Sequence, residues 1–142
     1  MIFPEQLYQL TGKDRTGALT QAYFRKSEIS AATAIQTAEY TIPGDSNLIV
    51  SNLSIFGDGG GAQTVDQLSF YLNDPAGTTS YMISVSRPGI GIASLIWTGT
   101  LWIPGSWRLF SEAQYSAAAL ANLTSAAVFG ILIPEGNFLG VA

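Results

Sequence analysis

The sequence predicts an all-β protein: an antiparallel β-sandwich or jelly roll of about seven to eight strands, preceded by an N-terminal arm. From about residue 37 onward, apolar and polar residues alternate with a period of two, the side-chain period of a half-buried strand. The alternating runs are rich in Val, Ile, Thr and aromatic residues, and Pro and Gly separate them. At 142 residues the chain is long enough to bury a core of its own.

Pro-Gly turns bound the strands. Pro followed by Gly closes apolar runs at Pro43, Pro88, Pro104 and Pro134, and residues 74–77 have the composition of a hairpin turn. Proline cannot donate to a strand ladder and glycine accepts a positive φ, so each pair ends a strand. The predicted strands are residues 37–42, 47–56, 65–73, 79–87, 92–103, 106–115 and 123–133, with a possible last strand at 137–141.

Residues 1–36 form the predicted arm and residues 37–142 the sandwich domain. Pro4 and the residues after it suit the first turn of a short helix, which Gly12 ends. Residues 18–36 are compatible with either a helix or an extended segment, because their Ala, Gln and Ser content favours neither.

Charge divides the chain into a basic start and an acidic body. Residues 1–27 carry four cations against two carboxylates, net +2, whereas residues 28–142 carry two cations against eight carboxylates, net −6. A basic arm suits docking onto an acidic neighbour, and a solvated terminus without a role is the alternative. The predicted arm contacts are Lys13, Arg15, Arg25 and Lys26.

The composition indicates burial in an assembly and argues against catalysis. Charged residues make up 11% of the chain, against about 25% in a typical soluble domain. The sequence contains no His and no Cys, which removes the commonest general base, the thiolate nucleophile and the usual transition-metal ligands. Asp58, Asp66 and Asp74 stand singly near turns. We therefore expect no enzymatic activity, no cofactor and no metal site.

Nucleic acid and membrane are not expected partners. The body is acidic and has no dense basic stripe of the kind that binds phosphates. Residues 113–134 are uncharged and almost long enough to span a bilayer, but Gln114, Asn122 and Thr124 interrupt them. The glycine run at 57–61 lacks the Lys-Ser/Thr that completes a phosphate-binding loop.

Alternation along the predicted strands leaves several large side chains on the polar faces, where they predict a subunit interface. Strand 123–133 is apolar on both sides, so both sides are expected to be covered. The alternatives are that the arm folds over this face, or that a bulge shifts the alternation. The predicted interface residues are Tyr71, Met82, Trp102, Phe110, Val128 and Leu132.

Three segments resemble the small virion proteins of tailed bacteriophages. They are the entry Ile42-Pro43-Gly44, the stretch TGTLWIPGSWRL at 98–109, and an Ala-rich crossing that leads into AAVFGILIPEG at 126–136. The resemblance covers about residues 37–138. It implies a jelly-roll or sandwich subunit of the capsid-decoration, cement or head-fibre type, an anchoring arm, and no catalytic residues.

We therefore expect a non-enzymatic virion subunit on the capsid exterior or an appendage. Its expected partners are further copies of itself, most simply in a trimer, and a major capsid protein or another virion protein. The alternative is a carbohydrate-binding or receptor-binding sandwich at a virion appendage, in which Trp102 or Tyr71 stacks on sugar rings.

Overall fold

The structure is a computed structural model that describes residues 20–134, and within them it is all-β with no helix. The all-β sandwich prediction is confirmed, and all seven strands predicted within this range are present with shifts of one or two residues at most ends. The possible strand at 137–141 lies outside the described residues. The strands are β1 Gln21–Ser30, β2 Ile35–Thr41, β3 Ser46–Asp58, β4 Val65–Asn73, β5 Ser80–Ser86, β6 Ile92–Ile103, β7 Arg108–Tyr115 and β8 Leu123–Pro134.

Two four-stranded antiparallel sheets pack face to face. Sheet A has the strand order β1-β8-β3-β6, and sheet B has the order β2-β7-β4-β5. The core lies between them and is built from alternate residues of both sheets, with Leu53, Phe70 and Leu109 all fully buried. The faces predicted for β4, β6 and β7 are confirmed, since Leu68, Ile103 and Leu109 all point into this core.

Strand β1 moves the boundary of the predicted arm. Residues 21–30 pair along their whole length with β8, and Tyr23 is buried against the core. Arg25 and Lys26, predicted as arm contacts, therefore belong to an edge strand of the sandwich. Lys13 and Arg15 lie outside the described residues, and their contacts with a neighbour stay a prediction.

The predicted turns after Pro43, Pro88 and Pro104 lie between strands, but the left-handed residue is not always the glycine, and the turn after Pro134 lies outside the described residues. Gly77 has φ 72° in the β4–β5 hairpin, where the Asp74 carboxylate accepts backbone N–H bonds from Thr78 (2.8 Å) and Thr79 (3.2 Å). Between β6 and β7 the left-handed residue is Ser106, with φ 71°. Gly105 is required there for space, because a Cβ would lie 2.6 Å from the Ser46 carbonyl oxygen.

A buried polar network ties one end of the sandwich together. Gln36, Asn122 and Thr124 are all at most 2% exposed. The Gln36 amide donates to the carbonyls of Ala31 and Asn122, both at 3.0 Å, and the Thr124 hydroxyl donates to Gln36 Oε1 at 2.6 Å. The Asn122 amide donates to Thr33 at 3.0 Å. Because unpaired buried polar groups are costly, this network holds the loops before β2 and before β8 in place against the two sheets.

Candidate interaction surfaces

The outer face of sheet A is apolar, and we call it the apolar face. Its side chains come from all four strands and meet through the strand register: Phe24 of β1 lies opposite Phe129 of β8, with ring centroids 4.7 Å apart. Half-buried Ile49 and Ile131 lie opposite each other next to this pair. The large apolar side chains exposed on this face, each between 37% and 64%, are Phe24, Phe56, Ile92, Ile96, Trp102, Leu123 and Phe129.

Charge is confined to the margins of the apolar face. Strands β8 and β6 contain no charged residue, and the only charged residue in β3 is Asp58 at its end. On edge strand β1, Lys26 and Glu28 form an exposed ion pair at 3.2 Å. The centre of the face therefore consists of apolar side chains, and the groups between them are the hydroxyls of Ser and Thr and the amide of Asn. Water solvates such a surface poorly.

The outer face of sheet B combines polar groups with one aromatic pair, and we call it the polar face. Tyr71 and Phe110 are cross-strand neighbours, and their rings stack 4.8 Å apart with an interplanar angle of 9°. Glu112 Oε2 accepts hydrogen bonds from the Tyr71 hydroxyl (3.0 Å) and the Thr37 hydroxyl (3.2 Å), and Oε1 accepts one from the Gln114 amide (2.8 Å).

The electrostatics of the polar face are set by its carboxylates. Desolvation by burial, followed by the hydrogen bond to Glu112 and that carboxylate's charge, raises the pKa of Tyr71 to about 12. The Tyr71 hydroxyl therefore stays a hydrogen-bond donor at neutral pH. Beside this pair, Arg108 and Glu39 form an ion pair at 3.2 Å. Polar groups on this face are thus largely paired with each other.

The predicted interface residues do not form one surface. Tyr71, Met82 and Phe110 lie together on the polar face, whereas Trp102 lies on the apolar face of the other sheet. Val128 and Leu132 are in the core, with 0% and 9% exposure, so their placement in an outer patch is wrong. The cause is strand β8, where both sets of alternate residues are apolar and the pattern does not say which set faces inward.

On β8 the opposite set of side chains points outward. Phe129 is 53% exposed and Ile131 is half-buried, while Val128 packs between the sheets. Within residues 20–134 the outer side of β8 is open, so the expected cover of that side by a second copy or by the arm stays a prediction. Phe24 was not predicted to lie on an outer face because residues 21–30 were not assigned to a strand. Phe56 was not predicted to lie there because it is the last residue of the predicted strand 47–56.

Groups for chemistry are dispersed over the described part of the chain. Asp58, Asp66 and Asp74 lie at separate strand ends, and residues 20–134 hold no cluster of three or more metal-ligating side chains. A groove of about 280 Å³ near the sandwich end contains one carboxylate, that of Asp45. No helix within this range is long and apolar enough to cross a membrane.

Comparisons with known proteins assign the chain to no family. No protein-family model matches the chain, and no curated protein is similar to it in sequence. Among solved structures, a carbohydrate-binding module from a family 9 glycoside hydrolase of Ruminococcus flavefaciens is 8% identical, with a TM-score of 0.41. That match covers 78% of this chain and 97% of the module.

Two further similar structures are from infectious bursal disease virus. The VP2 subviral particle is 14% identical over 91% of this chain, with a TM-score of 0.46. The Gx strain structure is 14% identical over 84% of this chain, with a TM-score of 0.39. The chain spans 39% and 33% of the lengths of those chains. At these identities and TM-scores the likeness says nothing of ligands or partners.

Proposed function

We propose that the chain is a non-enzymatic structural subunit of a phage virion, which decorates or cements the capsid and associates with further copies through the apolar face. The observation that carries the proposal is the exposure of seven large apolar side chains on one sheet face with no charge at its centre. The phage context is supported by the segments at 42–44, 98–109 and 126–136.

The area of the apolar face fits an interface better than a free surface. If a large side chain offers about 150–250 Å², seven of them at 37–64% exposure present roughly 600 Å². The largest apolar patch of a typical monomer is about 300–600 Å², and a standard interface buries about 800 Å² per partner. The face therefore lies at the upper limit for a free surface and supplies most of one side of a stable contact.

The low overall charge supports the same proposal. With 11% charged residues the chain has little charge repulsion to keep an apolar face from associating. The polar face, by contrast, carries the Arg108–Glu39 pair and the Glu112 cluster, so it is suited to face water. Of the two outer faces, the apolar one is the better assembly contact.

Two matched substitutions test the assembly. Phe129→Lys places a charge in the middle of the apolar face at a residue that is 53% exposed, and Met82→Lys places the same charge on the other sheet at a residue that is 57% exposed. In size exclusion with light scattering, we expect wild type and Met82→Lys to form the same oligomer, near three times 15.0 kDa if it is the trimer. Phe129→Lys should run at a lower mass than both, because the contact through the apolar face is lost. A wild type that is monomeric at micromolar concentration and does not bind capsids contradicts the proposal.

The virion role is tested on particles. Phage particles purified by density gradient from the host that encodes this chain should contain it in many copies, and labelled antibody should decorate their surface. Particles assembled with Phe129→Lys should lose the protein, while those with Met82→Lys retain it. Recovery of the protein only in the soluble fraction contradicts a virion location.

The polar face favours a second candidate, carbohydrate binding. The aromatic pair Tyr71–Phe110 stands beside the carboxylate of Glu112 and the amide of Gln114, a combination that suits the apolar faces and hydroxyls of sugars. A glycan array is expected to show binding that Tyr71→Ala removes and that Phe129→Lys leaves intact. An array without binding rejects this candidate and leaves the assembly proposal standing.

A further inference from the structure

Among the strands formed by residues 20–134, β6 is an edge of sheet A that carries no charge or proline to guard it against pairing. It is 12 residues long and contains neither a charged residue nor a proline. The other edge of the same sheet, β1, carries Arg25, Lys26 and Glu28, and the edges of sheet B, β2 and β5, have 7 residues each. Long, uncharged edge strands present free backbone groups to another strand, and proteins normally guard them with charges or keep them short.

The core beside β6 is incompletely covered. Leu95, Trp97 and Leu101 point inward and pack against the core, but each is only half-buried. On the neighbouring central strand β3, the inward residues Leu48 and Val50 are 0% exposed. A further strand placed beside β6 would extend sheet A over the exposed parts of Leu95 and Trp97, so an added strand gains apolar burial as well as ladder hydrogen bonds.

We propose that β6 pairs with β6 of a second copy, antiparallel about a two-fold axis over residues 92–98, joining two copies of sheet A into one eight-stranded sheet. A second copy is the partner that this edge suits. In a two-fold pairing each strand lies against an identical strand, so any charge on it would face a like charge. Like charges directly opposite one another destabilise a pair, and β6 has none to oppose. This inference rests on the self-association in the proposed function and names a contact distinct from the apolar face.

The range 92–98 follows from a bulge in the ladder. Val50 pairs with Leu101 and Asn52 pairs with Thr98, so two residues of β6, Gly99 and Thr100, lie opposite one residue of β3. Beyond this bulge the ladder is irregular, whereas from Ile92 to Thr98 it is continuous. At seven residues, the regular segment has the length of an ordinary β-strand.

The centre of the pairing is Leu95. Around that centre Ala93 lies opposite Trp97 of the second copy on the inner side, and Ser94 lies opposite Ile96 on the outer side. Large side chains thus meet small ones on both sides, which is how facing layers interdigitate without voids. The two apolar faces then become one continuous face, which offers about twice the area for contact with further copies.

Disulfide trapping tests the pairing, because the sequence contains no cysteine and each variant carries one thiol. Residues opposite each other in antiparallel strands have Cα atoms about 4.5–5.5 Å apart, within the range that a disulfide spans. Leu95→Cys should therefore link to its own copy under mild oxidation. Ser84→Cys is the matched control, since it is also half-buried and lies in the middle of edge strand β5.

We expect Leu95→Cys to dimerise about tenfold faster than Ser84→Cys, since only the first places its thiol at disulfide distance. A mixture of Ser94→Cys and Ile96→Cys copies, both altered on the outer side and without a change to the core, should form mixed disulfides in preference to either homodimer. Equal rates for Leu95→Cys and Ser84→Cys overturn the pairing, and so does a mixture that links at random.

Ser54→Cys, in the middle of the outer side of β3, separates this inference from the proposed function. If Ser54→Cys links rapidly and Leu95→Cys does not, the copies meet through the apolar face, so the edge pairing is wrong and the proposed function stands. If no variant links and wild type is monomeric by light scattering, both are wrong. If Leu95→Cys links rapidly and Phe129→Lys leaves the oligomer unchanged, the edge pairing stands and the assembly role of the apolar face is wrong.

Discussion

The outer faces of the two sheets have the same geometry and opposite chemistry. Each is a four-stranded antiparallel surface with an aromatic pair, Phe24–Phe129 on sheet A and Tyr71–Phe110 on sheet B. Around Tyr71 and Phe110 lie carboxylates, an amide and an ion pair, whereas around Phe24 and Phe129 lie further apolar side chains. An aromatic pair alone therefore does not mark an interface, and the groups that surround it decide whether water or protein is the better partner.

The largest expected effect is a difference in stability between core and face substitutions. It arises if the apolar face is an outer surface and not a second core. Phe70→Ala removes a fully buried ring and should lower the free energy of unfolding by about 3–5 kcal/mol. Phe129→Ala, at 53% exposure, should cost the dissociated protein less than half of that. Urea unfolding at a concentration where the protein is monomeric measures both. Equal losses would mean that the outer face is packed within one copy.

The second largest expected effect is on self-association, and it tests whether the copies meet through the apolar face or through the polar face. Phe24→Ala should weaken self-association by about 2 kcal/mol, roughly 30-fold in Kd, because aromatic anchors at interface centres contribute that much. Met82→Ala, on the polar face, should leave the dissociation constant within about twofold. Sedimentation equilibrium across a concentration series provides the constants. A larger effect from Met82→Ala would reverse the assignment of the two faces.

An alkaline titration examines the polar face. The pKa of Tyr71 is raised to about 12 in the folded protein, so between pH 10 and 12 the unfolded chain loses this proton and the folded chain keeps it. The stability that Tyr71 contributes is thus complete below pH 10 and declines as pH rises toward 12. Tyr71→Phe should flatten that decline in urea unfolding. An unchanged slope would mean that burial and the neighbouring Glu112 do not hold the phenol of Tyr71 in its neutral form.

The smallest effect concerns the ion pair at the margin of the apolar face. Lys26 and Glu28 are joined at 3.2 Å, but their side chains are 57% and 63% exposed, so Lys26→Gln should change the free energy of unfolding by at most about 0.5 kcal/mol. Thermal unfolding at low and high salt is the measurement. A loss several times larger would show that charge, and not apolar surface, organises this face.

The sequence pattern was sufficient where one side of a strand is polar. Strand β4 was predicted with the bounds it has, 65–73, because Leu68, Phe70 and Leu72 alternate with Gln67 and Tyr71, and a hairpin turn follows. Strand β1 was left undecided between a helix and an extended segment because Tyr23 and Ile29 are its only large apolar inward residues. Its place depends on pairing with β8, a contact with the far end of the chain that local pattern does not contain.

The apolar face could not be predicted from the sequence for the same reason. It exists because the order β1-β8-β3-β6 brings Phe24, Phe129 and Ile96 onto one sheet face, and strand order is set by packing rather than by alternation. On β8 the two sides are equally apolar, so Val128 and Phe129 were assigned in reverse. The low charge of the chain did predict that some surface is covered, without saying which one.

Hydroxyl-radical footprinting of the assembled protein tests the central claim most directly, because both outer faces report in one sample. On raising the concentration from the dissociated to the associated state, we expect oxidation of Phe129 and Phe24 to fall severalfold, since their rings become buried. Met82, which is 57% exposed on the polar face, should be oxidised equally in both states. Protection of Met82 with no change at Phe129 would contradict the account, because the copies would then meet through the polar face.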